Sequence, residues 1–158
     1  MIQGHFYYLD EQYYNDFNDP NIQRNHETIN GKTHDKPCFC AIEGDDGIFW
    51  LIPISSKVDK YHKLADAKIQ KHHKCDTILF GNVLGHEKAF LIQNMIPVTE
   101  KYIKNEYLDQ GSQCVRVDNI FQNELIRTAK KVLQKQRLGI KLIFPDVLSI
   151  EKVLKQHN

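Results

Sequence analysis

The sequence lacks a long hydrophobic run, since no stretch approaches the roughly 20 apolar residues that a membrane-spanning helix requires. Residues 1–9 also lack the basic start and apolar centre of a secretory signal, so we expect a cytoplasmic protein with no membrane partner. Internal repeats and low-complexity segments are absent as well. A chain of 158 residues can form one domain with a substantial core but not two full ones, and we therefore predict a single domain over residues 1–158.

Cysteine is scarce, with four residues in the whole chain. Cys38 and Cys40 alternate with Phe39, which would place both thiols on one face of a strand. A zinc-binding regulator that uses Cys38, Cys40, Cys75 and histidines is a minor alternative, because the usual spacings of zinc fingers and ribbons are missing. We expect the cysteines to act as small buried hydrophobic residues, and we predict neither a metal nor another cofactor.

The chain has no marked excess of positive or negative charge, and its formal net charge is +1. The positive charge is nevertheless concentrated. Residues 57–74 contain six lysines and two aspartates, a local charge of +4, so the rest of the chain carries −3. A basic segment on a mildly acidic body is typical of a protein that binds a polyanion, although a solvated charged surface has the same composition.

Most of the apolar runs have the length and composition of β-strands. They are predicted at residues 6–9, 38–42, 48–54, 77–84, 88–93 and 95–98. Residues 44–47 contain two glycines and two aspartates and predict a hairpin between the second and third runs. Residues 18–36 are polar, with turn signals at Asp19-Pro20 and Asn30-Gly31, and predict a surface loop.

Helical signals are weaker in the middle of the chain than at its end. Residues 59–73 predict a loop with an irregular helix. A stripe with a period of 3.6 residues predicts a long helix from a cap at Asp118 or Asn119 to Gly139, and a short final helix follows Asp146. Because the strands come in antiparallel pairs and do not alternate with helices, we predict an α+β fold around a small barrel.

The segment that best indicates chemistry is the end of the third strand, where an apolar run stops at Ser55 and Ser56 and Lys57 follows at once. Hydroxyls and an ammonium at a strand end can hold a phosphate and stabilise the extra charge of a phosphorane. No carboxylate cluster suited to Mg²⁺ adjoins them, so a nuclease built here would use the 2′-hydroxyl of the RNA as nucleophile. A serine-containing turn on a basic surface is the alternative.

Four segments, in this order, resemble the ToxN/AbiQ family of type III toxin–antitoxin endoribonucleases, and most closely its CptN branch. They are Phe6-Tyr7-Tyr8-Leu9 with Tyr13, then Lys36-Pro37-Cys38-Phe39, then Ile52-Pro53-Ile54-Ser55-Ser56-Lys57, and last Phe90-Leu91-Ile92-Gln93-Asn94-Met95-Ile96-Pro97-Val98. The family commonly has Ser-Pro-Lys where Ser56 here is followed directly by Lys57. Either Lys57 or Lys60 could therefore take the place of the family's lysine, and Lys57 is preferred because it is nearer to the strand end.

The resemblance implies a fold like that of the MazF/Kid toxins, a twisted antiparallel sheet that forms an SH3-like partial barrel with helices around it. It implies metal-independent cleavage of single-stranded RNA, including cellular mRNA, to 2′,3′-cyclic phosphate and 5′-hydroxyl ends. It also implies an antitoxin made of repeated RNA pseudoknots, which the toxin processes and with which it forms a toxin–RNA assembly. Growth arrest and phage defence are the expected outcomes in the cell.

Together these arguments give five candidate catalytic residues: Lys57, Ser56, Ser55, Lys36 and Tyr13. Lys57 would bind or protonate the phosphate and the serines would position it. Tyr13 would stack on a base or reach the phosphate, although a tyrosine in an aromatic tract is more often part of the core.

The basic stretch is predicted to contact the RNA backbone and not the reacting phosphate. Its candidate RNA-binding residues are Lys60, His62, Lys63, Lys68, Lys71, His72, His73 and Lys74. His62 is also a candidate general acid or base, or a solvated histidine. A second basic group, mostly on the outer side of the long helix, either solvates that helix or contacts RNA: Arg116, Arg127, Lys130, Lys131, Lys135 and Arg137. A non-catalytic RNA-binding module is the main alternative function.

Overall fold

A computed structural model describes residues 1–24 and 26–157, and in residues 26–29 it describes the backbone alone. Within this part of the chain lie nine strands and four α-helices. The strands are β1 (Phe6–Leu9), β2 (His26–Ile29), β3 (Lys32–Asp35), β4 (Cys38–Glu43), β5 (Phe49–Ser55), β6 (Ile78–Val83), β7 (His86–Leu91), β8 (Ile96–Val98) and β9 (Ile103–Glu106). The helices are α1 (Glu11–Asp16), α2 (Val58–His72), α3 (Asn119–Arg137) and α4 (Val147–Gln156).

Seven of the described strands form one antiparallel sheet in the order β6-β7-β5-β4-β1-β9, with β8 paired to β5 beside this path. The long strand β5 is shared: its first half pairs with β8, from Phe49 opposite Val98, and its end pairs with β7, where Ile54 lies opposite Phe90. The predicted α+β class and antiparallel sheet are confirmed. The sheet remains open and does not close into a barrel.

Side chains along β4 and β5 point alternately to the two faces of the sheet, so the core consists of one cluster on each face. Phe39 and Ile52 pack with Phe90 in a cluster that also includes the inner side of α3. Cys38 and Cys40 point the other way, into a cluster with the tyrosines of α1. Both cysteines are buried as predicted, and burial raises the pKa of each thiol to about 12. The prediction was wrong for Cys114, which is exposed, and Cys75 is only half-buried.

Two regions differ from the prediction. Residues 18–36 were expected to form a surface loop, but β2 and β3 form a separate hairpin there, and its turn residues Asn30 and Gly31 both have positive φ angles. An Asn-Gly turn of this kind matches the twist of paired strands, so the turn signal was right although no strand was predicted beside it.

The stretch 59–73 was predicted to be irregular, but α2 is a regular helix of 15 residues. Its buried side is narrow, with Tyr61 and Ala65 the buried residues, so its apolar periodicity is weak. It ends at His73, which adopts the left-handed conformation (φ 66°) that glycine usually takes at a helix C-terminus. Strand β9 was also missed, because its polar Lys104-Asn105-Glu106 sequence carries no alternating apolar pattern.

The two C-terminal helices begin where the sequence predicted. The Asp118 carboxylate accepts hydrogen bonds from the backbone N–H groups of Ile120 and Phe121, and Asp146 caps α4 in a similar way. At Gly81 of β6 the ring of Phe121 from α3 packs so closely that a Cβ atom would lie 2.2 Å from it. No helix in the described part of the chain is both long and apolar enough to cross a membrane.

Candidate active site

A cleft of about 300 Å³ opens where four parts of the chain meet: the end of β3 with the segment that joins it to β4, the end of β5, the β6–β7 hairpin and the residue after β9. We call it the serine–lysine cleft. Its lining residues are His34, Asp35, Lys36, Pro37, Ile54, Ser56, Val83, Leu84, His86, Lys88 and Tyr107. The cleft is therefore lined by two lysines, two histidines, an aspartate, a serine and a tyrosine.

Strand register places Ser56 directly against Lys88. Because Ile54 pairs with Phe90 and Ser55 with Ala89, the next step along the antiparallel ladder sets Ser56 opposite Lys88. The Lys88 ammonium Nζ donates a hydrogen bond to the Ser56 hydroxyl Oγ over 2.7 Å. This contact fixes a cation and a hydroxyl side by side in the cleft.

Ser55 lies on the opposite face of the sheet from Ser56, since neighbouring residues in a strand alternate. It is 4% exposed, and its Oγ accepts a hydrogen bond from the backbone N–H of Lys57 over 3.2 Å. The structure therefore places Ser55 outside the serine–lysine cleft, where it shapes the turn from β5 into α2. The two serines, which the sequence treated as a pair, have different surroundings.

Lys57 is exposed at the residue that precedes α2, next to Ser56, and it does not line the cleft. No side chain caps the helix at this position. Lys60 lies in the first turn of α2, with its ammonium Nζ 5.2 Å from the centre of the Tyr61 ring. Lys57 is thus the nearer of the two candidate lysines to Ser56 along the chain.

Tyr13 lies in the core and not in the cleft. Its side chain is 0% exposed, and its hydroxyl donates to the backbone carbonyl of Pro97 over 2.9 Å. Its ring packs against Tyr14, Phe17 and Tyr102, and burial raises its pKa well above the ordinary value of 10.0. The assignment of Tyr13 as a catalytic residue is corrected on this ground, because a fully buried ring with a satisfied hydroxyl has no surface to offer RNA.

Lys36 does line the cleft, so the structure brings together Lys36 and Ser56 among the predicted catalytic residues. Sequence reasoning missed Lys88, the two cleft histidines His34 and His86, and Tyr107. Tyr107 lines the cleft with its ring 5.6 Å from that of Tyr8. Lys88 could have been found from the hairpin pattern only if the pairing of β7 with β5 had been known.

The predicted RNA-binding residues of α2 lie on the other face of the β6–β7 hairpin from the cleft. His86 and Lys88 point to the cleft, whereas Ala89 and Phe80 point to α2 and pack with Tyr61. His62 stacks on Phe80 with ring centres 3.7 Å apart, and its Nε2 lies 2.8 Å from Glu87 Oε1. His62 is therefore part of the contact between α2 and the hairpin.

The other candidates, on α2 and just after it, differ in their exposure and in their partners. Lys68 is half-buried, and its Nζ donates to Thr77 Oγ1 over 2.8 Å and to Gln93 Oε1 over 2.7 Å. Lys74 is exposed and forms an ion pair with Asp76. The remaining members of the predicted set are exposed: Lys60, Lys63, Lys71, His72 and His73.

Among the residues that the structure describes, no group of three or more His, Cys, Asp or Glu side chains is arranged to hold a metal ion. The zinc interpretation depended on Cys38, Cys40 and Cys75. The first two are buried in the core cluster with the tyrosines of α1, whereas Cys75 packs against a different cluster with Tyr61. The cysteines therefore do not form a common site.

The open sheet and the helices around it form a fold that a solved structure shares. That structure is AbiQ, described as a lactococcal anti-phage endoribonuclease belonging to the type III toxin–antitoxin system. The two chains superpose with a TM-score of 0.67 over 97% of this chain and 96% of AbiQ, at 14% sequence identity. No protein-family model and no curated protein sequence matches the chain. The fold implied by the four sequence segments is confirmed, while the CptN branch stays a prediction.

Proposed function

We propose that the protein is an endoribonuclease, the toxin of a type III toxin–antitoxin system, and that it cleaves RNA in the serine–lysine cleft. The observation that carries the proposal is the meeting of Lys36, Ser56 and Lys88 in one cleft. An ammonium group bonded to a hydroxyl, with a second lysine lining the same cleft, can bind a phosphodiester. The AbiQ fold over nearly the whole chain supports the same class of activity.

The proposed reaction needs only groups of the RNA and of the protein. The 2′-oxygen attacks the adjacent phosphorus, the bond from phosphorus to the 5′-oxygen breaks, and the products are a 2′,3′-cyclic phosphate and a 5′-hydroxyl. A base must accept the proton of the 2′-hydroxyl and an acid must give one to the leaving oxygen. His34 and His86 are the imidazoles of the cleft that can serve in these roles, and Lys36, Lys88 and the adjacent Lys57 stabilise the charge of the phosphorane.

The proposed partner is an RNA antitoxin of pseudoknot repeats, which the toxin cuts into units and which then inhibits it in a toxin–RNA assembly. Cellular mRNA would be the toxic substrate, with growth arrest and phage defence as the result in the cytoplasm. These details follow from the family that the sequence resembles. The exposed cations of α2 support an extended polyanionic partner, because they lie outside the cleft and on the opposite face of the hairpin.

The test is cleavage of a labelled single-stranded RNA by the purified protein in EDTA, with the ends of the products analysed. We expect cyclic phosphate ends, and no cleavage where the reacting nucleotide is 2′-deoxy. Lys36→Ala should lose most of the activity, whereas Lys152→Ala, on the exposed side of α4, should keep it. RNA binding without any cleavage would instead establish the non-catalytic RNA-binding module, and a requirement for Mg²⁺ would refute the mechanism.

A further inference from the structure

A second cavity, of about 340 Å³, lies at the other end of α2 from the serine–lysine cleft. We call it the basic pocket. It is formed by the last turns of α2, the segment before β6, the end of α3 and the residues that lead to α4. Its lining residues are Lys68, His72, Lys74, Cys75, Asp76, Thr77, Lys135, Lys141, Leu142 and Phe144. Its volume is at the lower end of the range of about 300–1,000 Å³ that is usual for small-ligand sites.

The charge of the basic pocket is unbalanced. Its lining includes four lysines and one carboxylate, Asp76. That carboxylate is shared by the ammonium groups of Lys74, over 3.3 Å, and of Lys131, over 3.0 Å. The nearby Lys74 ammonium lowers the pKa of Lys135 below its ordinary value, because the two like charges repel each other. A phosphate in the pocket would relieve this repulsion.

The pocket also presents an exposed aromatic ring. Phe144 is 46% exposed, although its backbone N–H is held by the carbonyl of Gln93 over 2.8 Å. The Lys68 ammonium lies 5.9 Å from the centre of the ring, and Lys68 is itself fixed by the two hydrogen bonds to Thr77 and Gln93. The ring is therefore an anchored surface beside a group of cations. A nucleobase stacked on such a ring contributes roughly 1–3 kcal/mol of binding free energy.

We propose that the basic pocket binds one nucleotide of a single-stranded RNA, with the base stacked on Phe144 and the phosphate among Lys74, Lys135 and Lys141. The proposal rests on the proposed function, since it assumes that RNA is the partner. The 15-residue helix α2 separates the pocket from the cleft by about 22 Å. A single RNA strand that lies along α2 can occupy both sites. The pocket should therefore increase the affinity for longer RNA without changing the chemical step.

The experiment measures the affinity of a fluorescein-labelled single-stranded RNA that carries 2′-O-methyl groups and so cannot be cut. Phe144→Ala should raise Kd roughly 5- to 150-fold, the equivalent of the stacking free energy. Phe144→Trp should retain the affinity, because it keeps a stacking surface. Ile140→Ala is the matched control, since Ile140 is an exposed apolar residue of the same connection that does not line the pocket.

Salt dependence provides an independent measurement. Lys135→Ala and Lys141→Ala should each lower the slope of log Kd against log salt by about 0.7, because each removes a phosphate contact. Lys152→Ala, on the exposed side of α4 and outside the pocket, should leave the slope unchanged. Unchanged affinity and slope in the Phe144 and lysine variants, with the fold intact by circular dichroism, would overturn the proposal.

Two further measurements separate this proposal from its alternatives. Binding of AMP as tightly as the labelled RNA would show a site for free nucleotides and would overturn the assignment to RNA. Cleavage of a dinucleotide, which is too short to reach the pocket, tests the proposed function alone. Dinucleotide cleavage that persists in Phe144→Ala, together with the loss of RNA affinity, supports both proposals. RNA affinity that depends on Phe144, in a protein that cuts no RNA, would support the pocket and refute the endoribonuclease.

Discussion

The serine–lysine cleft and the basic pocket lie at opposite ends of α2, and both concentrate lysine. They differ in what surrounds the lysines. In the cleft, Lys88 bonds to the Ser56 hydroxyl, and two histidines from separate strands line the same cavity. In the pocket, the lysines surround one carboxylate and an exposed phenyl ring, and the Thr77 hydroxyl already accepts a bond from Lys68. Positive charge alone therefore indicates an RNA surface, while cleavage needs proton-transfer groups beside a hydroxyl.

The largest expected effect belongs to the cleft and to Lys57, which adjoins Ser56. Lys57→Ala and Lys88→Ala should each lower the cleavage rate at saturating RNA about 10²- to 10³-fold, because each removes a charge that stabilises the phosphorane. Single-turnover kinetics would measure this. Lys60→Ala, at the next candidate lysine along α2, is the matched control and should keep the rate. Full activity of Lys57→Ala beside an inactive Lys88→Ala would assign the catalytic lysine to the hairpin and contradict the preference for Lys57.

A smaller effect is expected where α2 is anchored beside the basic pocket. Lys68→Ala should lower the free energy of unfolding by about 1–3 kcal/mol, because the buried Thr77 and Gln93 side chains lose their donor. Thermal denaturation would show a lower Tm. Lys71→Ala, exposed on the same helix, should leave the Tm unchanged. An unaltered Tm in Lys68→Ala would mean that Lys68 is available to RNA after all, as the sequence predicted.

The contact between α3 and α4 should be sensitive to acid. The Arg137 guanidinium at the end of α3 bonds to both oxygens of Glu151 and holds the pKa of that carboxyl below its ordinary 4.5. The ionised form therefore stabilises the fold above pH 4.5, and this stability is lost as the pH falls through the lower pKa of the folded state. Glu151→Gln should cost about 1–2 kcal/mol at neutral pH, and the difference should close in acid.

Denaturant unfolding at several pH values measures this effect. Glu124→Gln, an exposed residue of α3, is the control. A gap between the wild type and Glu151→Gln that stays constant from neutral pH down to pH 3 would contradict the assignment.

The smallest effect concerns the exposed cations between the two sites. Lys63→Ala and Lys71→Ala together should reduce the salt slope of RNA binding by about 0.7 for each lysine, and the cleavage rate at saturating RNA should survive. Affinity at several salt concentrations, measured beside single-turnover cleavage, tests both statements. An unchanged slope would show that this part of α2 is only a solvated surface. Normal binding with lost cleavage would move the catalytic centre onto α2.

Much of the fold follows from local signals. The caps at Asp118 and Asp146, the turn at Asn30-Gly31 and the hairpin of β4 and β5 depend on residues a few positions apart, and each was predicted where the structure has it. The regular helix α2 and the polar strand β9 were missed because tertiary packing stabilises them more than their own patterns indicate.

The sequence by itself determined that lysine and hydroxyl meet at the end of β5 and that a basic segment follows. Only the tertiary structure decided that Ser56, and not Ser55, faces the cleft, and that Lys88 lies opposite it. The physical reason is that side chains alternate along a strand, which places the two serines on opposite faces. Which of these faces lines a cleft depends on the pairing of β5 with β7, and α2 and β6 separate those two strands in the sequence. The same long-range packing buries Tyr13 and brings Phe144 beside the lysines of α2 and α3, contacts that no local pattern in the chain specifies.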